Sequence, residues 1–410
     1  MASSSKQQLL QDSKQRLLLL LEKKPEKIPS ILKFLQDTPP HAEVQDLIPL
    51  DELAIRVELI DSIIKKLENV PATLPINDFS FSTLLVTPLH VLKRLNQLEE
   101  KIQHALLYDL LDAAKQTSGH TVKGVLDIFL AKNKVMAKSN EKEKEKRRRY
   151  DGNACKVLGT ANPEVCHIIP WSSSKDTTVV ETFRQGLTNM MKTLELITDD
   201  NGREASLAQI QAETMGLTNL FCSAPGCSDK AWNMVCLNRQ LHDWWGRAQI
   251  GFRPLGILDG DTANEKKVQV QLYWMPTNLR PNRTTVPYTT QVLQRDVDKL
   301  KDRLNEIHTR PQAAAETGGR YAACRIALGD PSLPGHPVMT GDIFEWSVET
   351  ADAEKMKRAF ELQWALIRIT AIAGGAGPRT LDEDDEDQGP GVEEWIASLP
   401  PPELMEHVPD

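Results

Sequence analysis

Two short stretches of the chain decide its interpretation, Asp151-Gly-Asn-Ala-Cys-Lys-Val-Leu-Gly-Thr-Ala-Asn-Pro-Glu-Val-Cys-His-Ile-Ile-Pro170 and Trp232-Asn-Met-Val-Cys-Leu-Asn-Arg-Gln-Leu-His-Asp-Trp-Trp245. In the first stretch, two apolar runs are split by Gly-Thr-Ala-Asn-Pro, a strong turn signal that predicts a β-hairpin. The second stretch predicts a loop followed by a helix. His167 then closes the hairpin, Asn233 lies in the loop and His242 lies on the helix.

These three side chains are of the types that phosphodiester hydrolysis requires. A base must deprotonate a water molecule, and a cation must stabilise charge on the phosphate and the leaving oxygen. His167 can act as the base, His242 can hold a divalent metal, and Asn233 can pin the loop between them. Such a site requires the nitrogens of both histidines to face one cleft. Each residue alone has a plainer interpretation, since an asparagine before a helix is often a cap, so the prediction depends on the combination.

The pattern resembles the HNH nuclease family: a hairpin that ends in His-Ile-x-Pro, then Asn-x8-His running into a helix. Further runs resemble fungal proteins that carry this domain, so the likeness covers roughly residues 150–375. It implies a ββα-metal fold, a two-stranded hairpin with a helix around a divalent metal ion, and metal-dependent cleavage of nucleic acid. By this resemblance His167 would be the general base, Asn233 the loop-orienting residue and His242 a metal ligand.

The expected metal shell departs from the family pattern. Many members place an acidic residue or a histidine directly before the base as a ligand, where this chain has Cys166. A thiol suits Zn²⁺ better than Mg²⁺, which prefers oxygen. The predicted cofactor is therefore a divalent metal ion, Mg²⁺ or another, with Zn²⁺ as an option. Gly246 offers no ligand four residues after His242, which leaves Asp243 as a substitute. A structural zinc knuckle is not expected, because Leu158 stands where a paired cysteine is needed.

The predicted fold class is α+β, a helical N-terminal region followed by an embellished ββα-metal domain with additional strands and helices. Residues 1–149 form the helical region, where prolines punctuate short helices, and it ends in a basic linker. Residues 150–378 form the nuclease-like domain. Residues 379–410 are acidic and then proline-rich, which predicts a disordered tail.

Within the second domain, the gap between His167 and Asn233 predicts a helical insertion at 172–217. Two strands are predicted at Ile250 to Leu258 and Lys267 to Met275, and the alternation in Val-Gln-Val-Gln-Leu-Tyr-Trp is the clearest β pattern in the chain. Helices are predicted at 288–308 and 351–373.

In the first region, the longest amphipathic stretch runs from Pro88 to Lys115, with leucines mostly three or four residues apart. Its apolar face packs against earlier helices or against a second copy in a dimer, and the sequence leaves both open.

The segment Lys138 to Arg149 alternates in charge and ends in Arg147, Arg148 and Arg149. One interpretation is a solvated helix face or linker. The other is a nucleic-acid-binding arm that contacts phosphates, or a nuclear-localisation patch.

Composition limits the remaining choices. The chain has 410 residues, 40% of them hydrophobic, and a net charge of −8, so a surface that binds nucleic acid must be local. Six cysteines are too few for a disulfide scaffold and indicate an intracellular protein, nuclear or cytoplasmic. No apolar run is long enough to span a membrane.

Two functions follow from these observations. The first is a metal-dependent HNH-type endonuclease. The second is a catalytically weak or inactive module that keeps the HNH fold to bind nucleic acid or protein partners. The sparse metal shell and the acidic composition motivate the second.

Overall fold

The structure, a computed structural model, describes residues 40–68, 78–97, 140–169, 226–276, 323–325 and 336–372, with scattered positions at 11–29 and 216–220. The chain divides into two compact units, Met1–Ala376 and Gly377–Asp410, and every described residue belongs to the first. Apart from single positions, the predicted helices at 172–217 and 288–308 and the predicted disordered tail lie outside the described residues.

The described part mixes helices and strands. The helices are α1 (Leu53–Glu68), α2 (Asp78–Val86), α3 (Leu89–Gln97), α4 (Glu141–Tyr150), α5 (Arg239–Gly246) and α6 (Ala353–Ile372). The strands are β1 (Glu164–His167), β2 (Met234–Leu237), β3 (Ile250–Asp259), β4 (Glu265–Trp274), β5 (Cys324–Arg325), β6 (His336–Pro337) and β7 (Ile343–Glu349). Single 3-10 turns precede β2 (Ala231–Asn233) and α6 (Thr350–Asp352).

A three-stranded antiparallel sheet in the order β3-β4-β7 forms the main scaffold. Both predicted strands are confirmed here, with β3 at Ile250–Asp259 and β4 at Glu265–Trp274. The alternation in β4 ends at Gln271, which is buried and donates from Nε2 to the carbonyls of Ala42 and Glu43. The segment before α1 therefore covers the second face of the strand at this end.

Helix α6 packs on this sheet through aromatic side chains, and the predicted helix at 351–373 is confirmed. Phe252 of β3 lies in edge contact with Trp346 of β7, with 5.4 Å between ring centroids, and both rings contact Phe360 of α6. Gly251 permits the close approach of α6, because a Cβ atom there would lie 2.8 Å from the Trp364 ring. The sheet orients α5, which directly precedes β3, through contacts of Trp244 with Trp274 and of Trp245 with Phe252.

The hairpin predicted within residues 151–170 is wrong in its pairing. Its first arm forms turns with a single bridge between Ala154 and Ala161, and positive φ at Gly159 (72°) supports the turn. The second arm, β1, pairs antiparallel with β2 instead, with His167 opposite Met234. The interpretation of Trp232 to Trp245 as loop then helix therefore missed a strand.

Helix α5 begins directly after β2. Asn238 caps it by accepting the backbone N–H of Gln240 at 2.9 Å. Leu241, Trp244 and Trp245 are buried and anchor the helix, and Trp245 lies in edge contact with Phe252 of the sheet. The face of α5 that carries His242 lies toward β1, where His242 contacts Glu164.

The predicted basic linker is a helix, α4, and it packs against β1, β2 and β7. Its residue Arg147 is fully buried, paired with Asp151, and donates to the carbonyl of Ser347 at 2.8 Å. The prediction that Arg147 contacts nucleic acid is wrong for this arrangement, because its guanidinium is enclosed by the protein. Arg148 is partly exposed and Arg149 is exposed.

Helix α1 packs against both α2 and α3, and α2 contacts α6. On α3, Leu92 and Leu95 are fully buried within the chain, so intrachain packing accounts for the described part of the amphipathic stretch. Self-association stays a prediction. Among the described residues, no helix combines the length and apolar character that crossing a membrane requires.

Candidate metal and catalytic site

The site is formed where β1 ends and where the segment before β2 returns to it. His167 is the last residue of β1, and its Nε2 atom lies 2.9 Å from Oδ1 of Asp229. Both side chains are mostly buried, at 14% and 7% exposure. Burial raises the pKa of Asp229, but hydrogen bonds from His167 and from the backbone N–H of Asn140 outweigh it and leave the pKa below its ordinary value. Asp229 is therefore an ionised acceptor in the folded protein.

A second group of side chains lies on the other side of β1. Glu164, Cys166 and His242 each offer one ligand atom, and these atoms all lie within 4.8 Å of one another. We call them the Glu164–Cys166–His242 cluster. Because side chains two residues apart on a strand share a face, β1 presents Glu164 and Cys166 together. Helix α5 brings His242 over them, with Nδ1 2.8 Å from Oε2 of Glu164.

The donor set of this cluster fits a cation that accepts sulfur and nitrogen. One thiol, one imidazole and one carboxylate make a suitable shell for Zn²⁺, which in catalytic sites takes three protein ligands and keeps one open position. The same set fits Mg²⁺ poorly, since Mg²⁺ demands oxygen ligands. Burial raises the pKa of Cys166 well above its ordinary value, and the nearby Glu164 and Cys236 add to the effect. Metal binding there must therefore displace a thiol proton.

Asn233 lies at the centre of this geometry and is fully buried. Its Oδ1 accepts the backbone N–H of Ile169 at 2.9 Å, while Nδ2 donates to the carbonyls of Ile169 at 2.7 Å and Ser228 at 2.9 Å. Its own carbonyl accepts the N–H of Ile168 at 2.7 Å. One side chain thus ties the segment after His167 to the segment before Asp229.

The described contacts do not bring His167 and His242 into one group. His167 follows Cys166 directly on β1, so their side chains leave the strand on opposite faces. His167 contacts Asp229, whereas His242 contacts Glu164 on the Cys166 face. From the sequence, the nitrogens of both histidines were expected to face one cleft. In the described residues they face different carboxylates instead.

Asp243, predicted as a substitute ligand, does not join the cluster. It is half-exposed and pairs with Arg247 one turn later on α5, with Oδ1 2.9 Å from Nε. The reason is helical geometry, because adjacent positions are separated by about 100° around a helix, so Asp243 and His242 point in different directions.

Two residues of the site were missed by the sequence analysis. Glu164 had a usable signal, since it precedes Cys166 by two residues and a strand places both on one face. Asp229 had none, because it is 62 residues from His167 in the chain and lies on the far side of the predicted insertion.

Comparison with known proteins gives a match for one part of the chain, residues 155–253. Neither the curated proteins nor the solved structures contain a match to this sequence. A family model does match, over residues 155–253, and the match includes β1, β2, α5 and the start of β3. That family is described as HNH endonuclease, and the match supports an HNH nuclease domain in this part of the chain.

Proposed function

We propose that the protein is a metal-dependent endonuclease of the HNH type that hydrolyses phosphodiester bonds in nucleic acid. The observation that carries the proposal is the pair of arrangements at β1, a buried His167–Asp229 pair and a three-donor cluster built from the residues around it. Both are embedded in the range that matches the HNH endonuclease family. We also propose that this domain is of the type found in fungal HNH proteins.

His167 is the proposed general base. Because Asp229 is ionised and can only accept, the hydrogen between them belongs to Nε2 of His167. Nδ1 then carries the lone pair that takes a proton from the attacking water. The resulting imidazolium is stabilised by the carboxylate that it already contacts.

The Glu164–Cys166–His242 cluster is the proposed metal site. A divalent cation held there would stabilise negative charge on the phosphate and on the leaving oxygen. The donor set favours Zn²⁺ over Mg²⁺. Asn233 holds the segment after His167 against the segment before Asp229 through its three side-chain hydrogen bonds.

The partner of this site is proposed to be nucleic acid, with further phosphate contacts from Arg148 and Arg149 of α4. Arg149 is exposed, and Arg148 is partly exposed beside Glu145 at 3.5 Å. Contacts of this kind are with phosphate and add affinity without sequence preference.

A second candidate is a module that keeps this fold and its metal site for binding and does not cleave. One specific observation favours it, the separate engagement of His167 and His242 with different carboxylates on opposite faces of β1. A cation at the Glu164–Cys166–His242 cluster would then hold α5 against β1 in a structural role.

A cleavage assay separates the two candidates. The full-length protein, loaded in turn with Zn²⁺, Mn²⁺, Ni²⁺ and Mg²⁺, is incubated with supercoiled plasmid, single-stranded DNA and RNA. The nuclease proposal expects metal-dependent cleavage that is lost in His167→Ala and kept in His90→Ala, a matched change at an exposed histidine of α3. Metal and nucleic-acid binding without cleavage in the wild type would favour the second candidate. Failure to bind either one would contradict both.

A further inference from the structure

The carboxylate of Asp229 is held from two directions. Oδ1 faces Nε2 of His167 at 2.9 Å, and Oδ2 accepts the backbone N–H of Asn140 at 2.6 Å. Asn140 is the N-cap of α4. A carboxylate fixed at both oxygens has little freedom to rotate, so the imidazole that it contacts is fixed as well.

The backbone that carries Asp229 is equally constrained. Its N–H donates to the carbonyl of Gly226 at 3.1 Å. The adjacent carbonyl of Ser228 accepts from Nδ2 of Asn233 at 2.9 Å. A further bond runs from the N–H of Ala231 to Oε2 of Glu143 at 3.0 Å. The segment is thus joined to α4 on one side and to Asn233 on the other.

From this geometry we propose that Asp229 is a positioning residue for His167, that it selects the imidazole tautomer with the proton on Nε2, and that α4 is part of the site through Asn140. The effect on catalysis rests on the proposed nuclease function. The positioning of His167 by Asp229 and the choice of tautomer do not depend on that function. Asn140 and α4 lie before residue 155, so the functional unit extends beyond the range that matches the family.

Charge and burial support this assignment. An isolated buried carboxylate would be raised in pKa and become protonated, yet Asp229 has a pKa below its ordinary value because His167 and Asn140 donate to it. Because an ionised carboxylate can only accept, the imidazole of His167 must present Nε2–H toward it across the 2.9 Å contact. Nδ1 is then the basic nitrogen, and its direction follows from the fixed ring.

The catalytic consequence is a change in kcat with little change in KM. A residue that orients the base acts on the transition state and leaves the contacts that bind substrate in place. Partners that orient histidines at metal sites cost about 10- to 100-fold in activity when they are lost, and we expect a loss of the same order for the partner of this base. A residue with only a structural role would change stability without altering the protonation site of His167.

The test uses the full-length protein labelled with ¹⁵N-histidine, where ¹⁵N shifts and couplings report which ring nitrogen carries the proton. The signals of His167 are assigned by their absence in His167→Gln. We expect an Nε2–H tautomer in the wild type, a loss of that preference in Asp229→Asn, and a kcat about 10- to 100-fold lower at unchanged KM. The matched control, Asp259→Asn, removes an exposed carboxylate of β3 and should leave the His167 tautomer and kcat as in the wild type.

Asp229→Glu keeps a carboxylate and is measured alongside, so that a folding defect in Asp229→Asn does not prevent a decision. It should preserve the Nε2–H tautomer and recover part of kcat. A wild-type tautomer and wild-type kcat in Asp229→Asn would overturn the proposal, as would an altered tautomer with unchanged kcat in Asp229→Glu. If the wild type cleaves no substrate, the nuclease function fails, and the tautomer measurement still decides the role of Asp229.

Discussion

Arg147 and Asp151 form an ion pair in which both side chains are completely buried. The guanidinium lies across the carboxylate, with Nη2 2.6 Å from Oδ1 and Nε 3.0 Å from Oδ2. Asp151 also accepts the backbone N–H of Cys236 at 2.9 Å, and Arg147 donates to the carbonyl of Ser347. The pair therefore joins α4 to β2 and β7, and it explains why one arginine of a charged segment serves the fold.

The first prediction concerns the stability that this pair supports. Arg147→Ala leaves Asp151 as a buried charge without its partner, and breaking a buried pair in this way costs about 3–5 kcal/mol. We expect a lower midpoint in urea unfolding followed by circular dichroism. Arg149→Ala, an exposed change on the same helix, should alter the free energy of unfolding by less than about 0.5 kcal/mol. Equal midpoints for the two variants would contradict the assignment.

The second prediction concerns the exposed arginines of α4. If Arg149 contacts a phosphate, Arg149→Ala weakens nucleic-acid binding similarly for all sequences and reduces the salt slope of log K by about 0.9. Fluorescence anisotropy with labelled DNA at several salt concentrations measures both quantities. Arg358→Ala removes a comparable surface arginine, which pairs with Glu354 on α6, and should leave the slope unchanged. An unchanged slope in Arg149→Ala would remove this residue from the interface.

The strongest sequence patterns predicted their elements correctly. In β4, Val268 and Val270 alternate with glutamines, and the strand forms as expected. The predicted helix at 351–373 likewise matches α6. Periodicity is informative where one face of an element is buried, as in β4 before Gln271.

The strand β2 was missed for a physical reason. Met234, Val235, Cys236 and Leu237 are all fully buried, so the strand has no polar face and no alternation. A run of four apolar residues cannot be distinguished from the start of a buried helix. Its pairing with β1 also spans the long gap between His167 and Met234, and sequence alone gives no register across such a distance.

The sequence predicted the segments that carry the candidate site residues better than it predicted how those residues are arranged in space. Spacing placed His167, Asn233 and His242 in the segments where the structure has them. It could not supply Asp229, because a side chain that arrives from another loop leaves no spacing to recognise. It also could not reveal that β1 divides its residues between two faces once β2 is its partner.

The third prediction tests Asn233 as the residue that holds the segment after His167 against the segment before Asp229. Asn233→Asp removes the Nδ2 donor from the carbonyls of Ile169 and Ser228 and places a carboxylate oxygen against them. Each buried carbonyl that is left without its donor costs about 1–3 kcal/mol of stability. We expect a clearly lower unfolding midpoint, together with loss of the proposed metal-dependent cleavage in whatever folded fraction remains.

A matched change is available for Asn233 at the N-cap of α5. Asn238→Asp keeps an oxygen acceptor for the N–H of Gln240, and aspartate and asparagine are similarly good caps. Its effect on the free energy of unfolding should be less than about 0.5 kcal/mol. Equal destabilisation by the two Asn→Asp changes would argue that Asn233 is an ordinary loop residue.

The fourth prediction separates the proposed ligands of the candidate metal site from their neighbours. Cys166→Ser and His242→Ala should each weaken Zn²⁺ binding by at least about tenfold, because each removes one of the three donors in the cluster. Asp243→Asn should leave the affinity unchanged, since Asp243 pairs with Arg247. Competition with a chromophoric chelator measures these affinities. Cys324→Ser changes an exposed thiol and is the control. Weaker binding in Asp243→Asn than in His242→Ala would contradict the proposed ligand set.

The fifth prediction concerns Asp342, which precedes β7. Burial raises its pKa above the ordinary value of 3.8, although the N–H of Met339 and the imidazole of His41 partly offset the effect. The folded protein therefore binds this proton more tightly than the unfolded chain does. The resulting stability is fully present below 3.8 and is lost as pH rises through the folded pKa. At neutral pH the ionised carboxylate opposes folding, so Asp342→Asn, which keeps an oxygen for Met339, should raise the melting temperature there and lose this advantage in acid.

Asp259→Asn should show the opposite slope, because Lys266 lowers the pKa of that exposed carboxyl and its stabilisation is present above 3.8. Melting temperatures of both variants and the wild type, measured by scanning calorimetry from neutral pH down to the ordinary pKa, test the sign. A destabilised Asp342→Asn at neutral pH would mean that the ion pair with His41 outweighs the burial of Asp342.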